Sequence, residues 1–477
     1  MTTPLLDPDR LLPIAEPARG LARELYARVR DLPLVCPHGH TDPAWFATNE
    51  PFRDAAELLL WPDHYLVRML QSRGVPYEAL GIAPERDRGI PVASPREGWR
   101  TFASHYDLFR GTPSRLWLDH ALHEVLGLEK RLTAETADWA YDAINERLAD
   151  DAFRPRALYE RFGIEVIATT DGATDTLDHH RAIRDSGWGG RVIPTFRPDA
   201  VTDPEHEAFP ASMTELRRLT GADVARWGDY LDALRQRRAV FADLGATATD
   251  HGPPTATTAD LDPETCQKLL AGALAGALTP EDAALFRAQM LTEMAGMSAQ
   301  DGLVMQIHAG SRRNHSGAIF EAFGRDKGFD MPLKVDWTGG LHALLERHGF
   351  AERLKIILFT LDETTLAREV APLAGAYPSL LIGPAWWFFD APEGMRRHRR
   401  LVTETAGFYN HAGFNDDTRA LLSLPARHDM SRRIECGLLA EMVCEGVLHR
   451  DEAEPLAQEL AVGLARRAYN LEAVSTD

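Results

Sequence analysis

The chain has 477 residues, enough to bury a large core, and its size suits two or three domains or a single barrel with insertions. Its 52 Lys and Arg stand against 71 Asp and Glu, a formal charge of -19, which argues against a nucleic-acid partner because phosphate binding needs a basic face. With 44% apolar residues and no charge-free apolar run of about eighteen residues, no stretch is a candidate membrane span.

Asp7, Asp9, Arg10 and Glu16 stand where a secretory leader would be apolar. Cys36, Cys266, Cys436 and Cys444 show no CxxC spacing. The expectation is a cytoplasmic chain with reduced thiols. Residues 16–30 predict a lead-in helix, with Leu21, Leu25 and Val29 at helical spacing. The apolar run that follows, Leu32-Pro-Leu-Val-Cys-Pro-His-Gly-His40, reads as a buried strand that the chain leaves at Pro37 and Gly39. In an extended chain residues two apart share a face, so His38 and His40 converge in a metal-ligand geometry.

From 43 to about 155 the pattern is helical, in segments 54–60, 64–74, 99–109, 114–126 and 136–149. This block is expected to be an inserted helical subdomain covering the mouth of a barrel built from 1–42 and 156–477. Short apolar runs then alternate with amphipathic stretches. The runs are 165–170, 191–196, 246–249, 303–307, 355–360, 380–383 and, weakly, 409–414. The stretches between them are 176–186, 230–244, 281–298, 338–349, 364–374 and 393–406, and two further helices are expected at 431–445 and 452–469. Eight strands, most followed by a helix, imply parallel pairing and predict an α/β fold, a (β/α)8 TIM-type barrel with C-terminal helices. A doubly wound open sheet is the alternative on pattern alone.

Barrel enzymes draw their reactive groups from the carboxyl ends of the strands. The residues there are His38 and His40, Thr170 and Asp171, Arg197 and Asp199, Asp250 and His251, His308 with Arg312 and Arg313, Thr360 and Asp362, Trp386 and Trp387, and Asp416, Asp417 and Arg419. A single polar residue at such a position is as often a turn or cap; the recurrence of imidazoles, carboxylates and arginines on one rim is informative. His38, His40 and a last-strand carboxylate make one divalent-metal site, suited to zinc and also to manganese. Of Asp416 and Asp417 only one is expected to point inward, since strand neighbours face opposite ways.

The ordered set of motifs resembles the amidohydrolase superfamily and, within it, the uronate isomerases (glucuronate isomerase), over nearly the whole chain. The matching segments include Pro37-His-Gly-His-Thr-Asp-Pro43, Asp63-His-Tyr65 with Arg68, Thr169-Thr-Asp171 with His179-His180, and Arg197-Pro-Asp199. They continue through Asp250-His251, Gln306-Ile-His308 with Arg313-Asn314, Gly383-Pro-Ala-Trp-Trp387, Gly394-Met395, Asp416-Asp-Thr-Arg419, and Arg427-His428 with Arg432-Arg433. Hydrolytic members of the superfamily carry a carboxylated Lys on the fourth strand and a His on the sixth for a second metal; the corresponding ends read Thr249-Asp-His251 and Phe359-Thr-Leu-Asp362. The family's usual Asp-Ser-Arg appears as Asp417-Thr-Arg419, with one extra residue before Arg427.

The resemblance implies an aldose-ketose isomerase that interconverts D-glucuronate with D-fructuronate, and D-galacturonate with D-tagaturonate, through a cis-enediol. That chemistry needs a base at C2, a cation or donor at the negative oxygen, and an anchor for the C6 carboxylate. Asp417 is the first candidate for base or metal-linked proton carrier; by resemblance His64 and Tyr65 join it in ring opening or proton shuttling. Arg197 and Arg419, then Arg313, are expected to bind the carboxylate, their planar forks suiting it. His308 is expected at a sugar hydroxyl or the metal, and one of Trp386 and Trp387 against the sugar. Partners are small sugar acids, with no nucleic acid or membrane, and the chain is expected to be a homo-oligomer. The competing readings are a metal-dependent hydrolase or lactonase of the same superfamily and a non-catalytic sugar-acid binder.

Overall fold

The computed structural model describes residues 5–86 and 89–471. Residues 1–4, 87–88 and 472–477 of the expected domain ranges lie outside them. The strands among the described residues are β1 (Leu34–Cys36), β2 (Ile164–Ala168), β3 (Asp171–Gly172), β4 (Val192–Ile193), β5 (Phe196–Arg197), β6 (Ala248–His251), β7 (Val304–His308), β8 (Ser311–Arg312), β9 (Met331–Pro332), β10 (Ile356–Phe359) and β11 (Leu380–Ile382). The chain divides into two compact units. One is Met1–Glu165 with Arg312–Met331 and Asp416–Ala461; the other is Val166–Ser311 with Pro332–Asn415 and Val462–Asp477. No helix among the described residues is long and apolar enough to cross a membrane.

Among the described residues the strands form three sheets, β1-β2-β4, β8-β9 and a six-stranded one that lies in the second unit. Six strands lie in the order β11-β10-β7-β6-β5-β3. Their pairings are parallel, with Ile356 opposite both Met305 and Leu380. The alternation of strand and helix enforces this direction, since a helix between two strands returns the chain to the same end of the sheet. One such helix, Pro280–Asp301, begins on Thr279, whose hydroxyl accepts from the Asp282 amide at 3.1 Å, and stops at Gly302 with φ +80°. Every residue of β7 and β10 is buried, so these strands lack polar alternation and read as continuous apolar runs. Met305, Ile307, Ile356 and Leu358 pack in one core with Met290, Met294, Leu345 and Val370 from the helices.

Eight strand positions follow in order, and the fold is the expected (β/α)8 barrel. The second position is β2 continued by β3, and the third is β4 continued by β5. The eighth is the weak one. Instead of a strand over 409–414 it is a single parallel bridge at His411, made as Ile382 donates to the Asn410 carbonyl at 2.9 Å and accepts from Ala412 at 2.8 Å.

The first unit is helical between β1 and β2 among the described residues. In it the helix Leu424–Cys444 packs against Ala18–Val29. It begins seven residues before the expected 431. Its first three turns bury Arg427, His428, Arg432 and Arg433 among Leu424, Ala426 and Met430, and charged residues on the buried face break the apolar period. These charges have partners: Arg432 donates to the Arg30 and Pro33 carbonyls at 2.9 and 2.7 Å, fixing the lead into β1.

The segment Arg312–Met331 of this unit lies on the helix His64–Ser72. The Tyr77 hydroxyl donates to the Lys327 carbonyl at 2.6 Å. Gly328, at φ +81°, comes so close that a Cβ there would stand 2.8 Å from the His64 carbonyl oxygen and 2.5 Å from the Arg68 Cβ. Both the left-handed backbone and the space demand glycine. Gly328→Ala is therefore expected to lose about 1–3 kcal/mol of stability. Urea denaturation measures this, and a variant with the parental midpoint would show that the contact is not required.

Candidate active site

The chain leaves β1 at Cys36, and the His40 amide donates to the Thr418 carbonyl at 3.0 Å, joining the two segments that carry the imidazoles and the late acids. His38 Nε2 lies 3.4 Å and His40 Nε2 3.2 Å from the same atom, Asp417 Oδ1. The two rings meet edge-on, 5.3 Å between centroids. Asp416 and Asp417 do part company, though not through strand alternation, because 412–418 form no strand. Asp417 has φ +40°, a left-handed conformation that sends its carboxylate to the histidines. Asp416 is buried and faces His428 Nε2 at 3.3 Å.

Burial alone would raise the Asp417 carboxyl, but the His38 imidazole beside it and hydrogen bonds from both histidines outweigh this and hold it well below the usual range. Burial likewise pushes His40 down, against the pull of Asp417. A carboxylate and a neutral imidazole are the ionisation states that ligate a metal.

Two residues beyond Asp417, Arg419 pairs at 2.9 Å with Asp326, which the segment on the His64 helix delivers. Arg313, on the same segment, pairs with Asp330 at 2.9 Å. Burial, then the Arg419 charge, pushes His64 down to about 3, so its ring is neutral near pH 7. Tyr65 is buried, stacked on His64 at 5.0 Å and edge-on to Trp117 at 5.8 Å.

In the second unit the carboxyl ends of β5, β6 and β7 carry a polar network of their own. Arg197 bonds Asp199 through Nε at 2.9 Å and reaches Asp250 through Nη1 at 3.3 Å. Asp250 Oδ1 lies 2.6 Å from His308 Nδ1. A carboxylate only accepts, so His308 donates through Nδ1. Phe359 stacks on the His308 ring at 3.9 Å, and Trp386 meets it at 4.7 Å. Trp387 lies instead on Phe388, 5.2 Å away and nearly parallel.

The structure thus brings His38, His40 and Asp417 to one point, sets Arg419 by His64, and links Arg197, His308 and Trp386. The sequence alone assigns no role to Asp326, Asp250 or His428. Asp250 stood among the strand-end residues and His428 in a motif, whereas nothing around Asp326 marked it. For a divalent metal the fit is good: two imidazole nitrogens and a carboxylate oxygen already share a centre, with one oxygen of Asp417 within 3.4 Å of both rings.

The glucuronate isomerase family model matches residues 17–467. The chain belongs to this family. It is 59% identical to a uronate isomerase of Rhizorhabdus wittichii over 466 residues, 98% of each chain. It is also similar to the crystal structure of glucuronate isomerase from Caulobacter crescentus, at 55% identity, 98% coverage of both chains and a TM-score of 0.96. Uronate isomerase from Thermotoga maritima, at 27% identity, matches with 97% of this chain and 99% of that one covered and a TM-score of 0.90. The chain is thus a uronate isomerase by family, with a (β/α)8 fold, and His38, His40, His64, Tyr65, Arg197, Asp250, His308, Arg313, Trp386, Asp417 and Arg419 all lie in the motifs on which the resemblance rests.

Three buried imidazoles, His180, His251 and His398, and the part-buried His64 carry a consequence for acid stability. Burial holds His64 and His398 down to about 3 and His180 and His251 to about 4. Once unfolded, each ring takes up a proton below its ordinary value near 6.5, which the folded chain refuses until far lower pH. The stabilisation is complete above about 6.5 and is lost as pH falls, by up to about 1.4 kcal/mol per pH unit for each ring. Urea midpoints are expected to drop from pH 7 to pH 5, and less steeply in His398→Gln. Equal slopes in parent and variant would reject the effect.

Proposed function

We propose that this chain interconverts D-glucuronate with D-fructuronate, and D-galacturonate with D-tagaturonate, by moving a proton between C2 and C1 of the open-chain sugar acid through a cis-enediol. The observation that carries this reading is the meeting of His38, His40 and Asp417 in a chain of this family. We assign these three residues as the ligands of one divalent ion, zinc in preference to manganese because two imidazoles suit the softer ion. When bound, such an ion supplies positive charge beside the substrate oxygens.

The remaining roles follow from the protein's own groups. Asp417 is assigned the proton transfer, where a positioned base contributes on the order of 10²- to 10⁴-fold. His64, neutral near pH 7, is assigned the donation of its ring N–H to a substrate oxygen during ring opening, and Tyr65 stacks on the ring. Arg419 is assigned to the substrate carboxylate, with Arg197 and Arg313 as further anchors. Each is now held by a protein carboxylate, Asp326, Asp199 or Asp330, so each fork is oriented before substrate arrives and a uronate competes for its remaining donors. His308 is assigned a sugar hydroxyl, and Trp386, already against that ring, the exclusion of water. The hydrolase reading is not retained: β6 ends in Asp250 and His251, and Thr360 after β10 is bonded to Thr365, so neither end offers the Lys and His of a second metal. Its four cysteines are unpaired, in keeping with cytoplasmic residence.

Incubation of the purified chain with D-glucuronate in deuterated water, followed by NMR, is expected to show the ketose. Ketose from neither uronate would end the isomerase reading. Asp417→Asn should abolish turnover with an unchanged circular-dichroism spectrum. Arg419→Met should raise KM by roughly 10- to 100-fold, the value of about one charge-assisted hydrogen bond. An unmoved KM would remove Arg419 from the carboxylate site.

A further inference from the structure

Directly behind the proposed metal ligands lies a second buried cluster that the isomerase chemistry does not use. Cys36 is two residues before His38, Asp416 precedes Asp417, and His428 comes from the helix Leu424–Cys444. All three are buried, and one ligand-type atom from each lies within 4.8 Å of the others. Cys36 Sγ is 3.6 Å from His428 Nε2, which is 3.3 Å from Asp416 Oδ2. A carboxylate can only accept, so the imidazole donates to Asp416.

What needs holding is the next residue. Asp417 has a side chain and a φ of +40°, a sparsely populated conformation that persists only where its surroundings over-determine it. The surroundings act on both of its neighbours. The Asp416 side chain is fixed by His428, and the Asp416 carbonyl accepts from Arg427 Nη1 at 3.1 Å. That guanidinium is itself seated over the Trp117 ring, 3.6 Å from its centroid. On the far side the Thr418 carbonyl accepts from the His40 amide, and the Thr418 and Ser423 hydroxyls lie 3.2 Å apart.

We propose that Asp416 and His428, backed by Cys36, are positioning residues that lock Asp417 in its left-handed conformation and so keep its Oδ1 between His38 and His40. Their role rests on the assignment of Asp417 as ligand and proton carrier, and it acts through that residue, with no contact to substrate. It makes the helix Leu424–Cys444 part of the site's geometry: the helix presents Arg427 to the backbone of residue 416 and His428 to its side chain. Because Asp416 and Asp417 are consecutive, one acid serves as the foot and the other as the tool.

The test uses the full-length variants Asp416→Asn and His428→Gln, with Cys36→Ser as the conservative change that keeps a donor. Crystal structures of the metal-free proteins provide one readout, and Mn²⁺ affinity by EPR titration another. Both His428→Gln and Asp416→Asn are expected to move Asp417 out of the left-handed region, weaken Mn²⁺ binding by roughly 10- to 100-fold, and lower kcat more than they raise KM for D-glucuronate. Cys36→Ser should stay near the parent in all three. If either variant fails to fold, the other carries the test. The proposal is overturned if Asp417 keeps its positive φ and both imidazole contacts, or if density for an ion lies among Cys36, Asp416 and His428 of the metal-loaded parent. Because the metal-free geometry involves no turnover, a parent that makes no ketose would sink the isomerase reading while leaving this result to be judged separately.

Discussion

The arrangement depends on a single convergence: two imidazole nitrogens from residues 38 and 40 and one carboxylate oxygen from residue 417, all within 3.4 Å. Almost four hundred residues of chain separate the partners, so holding them together is the work of the fold and not of local sequence. A half-buried carboxyl is costly unless paired. The histidines provide that pairing, and the backbone bond from His40 to Thr418 keeps both ends in register. Around this point the protein places further charge in pairs, Arg419 with Asp326 and Arg313 with Asp330, so that the arginines of an acidic protein are oriented and kept near the site by acids of its own.

The second network follows the same economy. Asp250 accepts from His308 while meeting Arg197, and Phe359 and Trp386 close over the imidazole. Such a layout orients the imidazole and the plane of the arginine through the protein's own groups, which lowers the entropy cost of binding a ligand. The protein therefore resembles a scaffold whose polar groups are pre-set by one another.

Much of this was legible along the chain. Seven of the eight strand positions announced themselves as apolar runs because parallel strands buried on both faces have no polar alternation to blur them. The eighth was weak for a physical reason: only His411 and its neighbours bond to β11, so little apolar sequence is needed there. Helices that bury charged residues were read short, as at 431, where the helix really begins at Leu424. The helices Phe209–Thr220 and Pro263–Leu274 were not anticipated at all, nor were the π-type turns at Ala121–Val125 and Leu366–Val370, since a one-residue widening of a helix leaves no compositional mark.

By itself the sequence determined the family, the strand-helix alternation and the identity of the reactive groups, because residue types and their spacing along one segment encode those directly. Only the tertiary structure decided which acid faces the histidines, for that turns on the left-handed φ of Asp417 and on where His428 lies. It alone decided that Asp326 stands against Arg419, because a loop residue 93 positions away is brought in by the fit of Gly328 on a helix and not by any local pattern. Chemistry is written in the letters; the distances between letters far apart are set when the chain closes on itself and each polar group must find a partner.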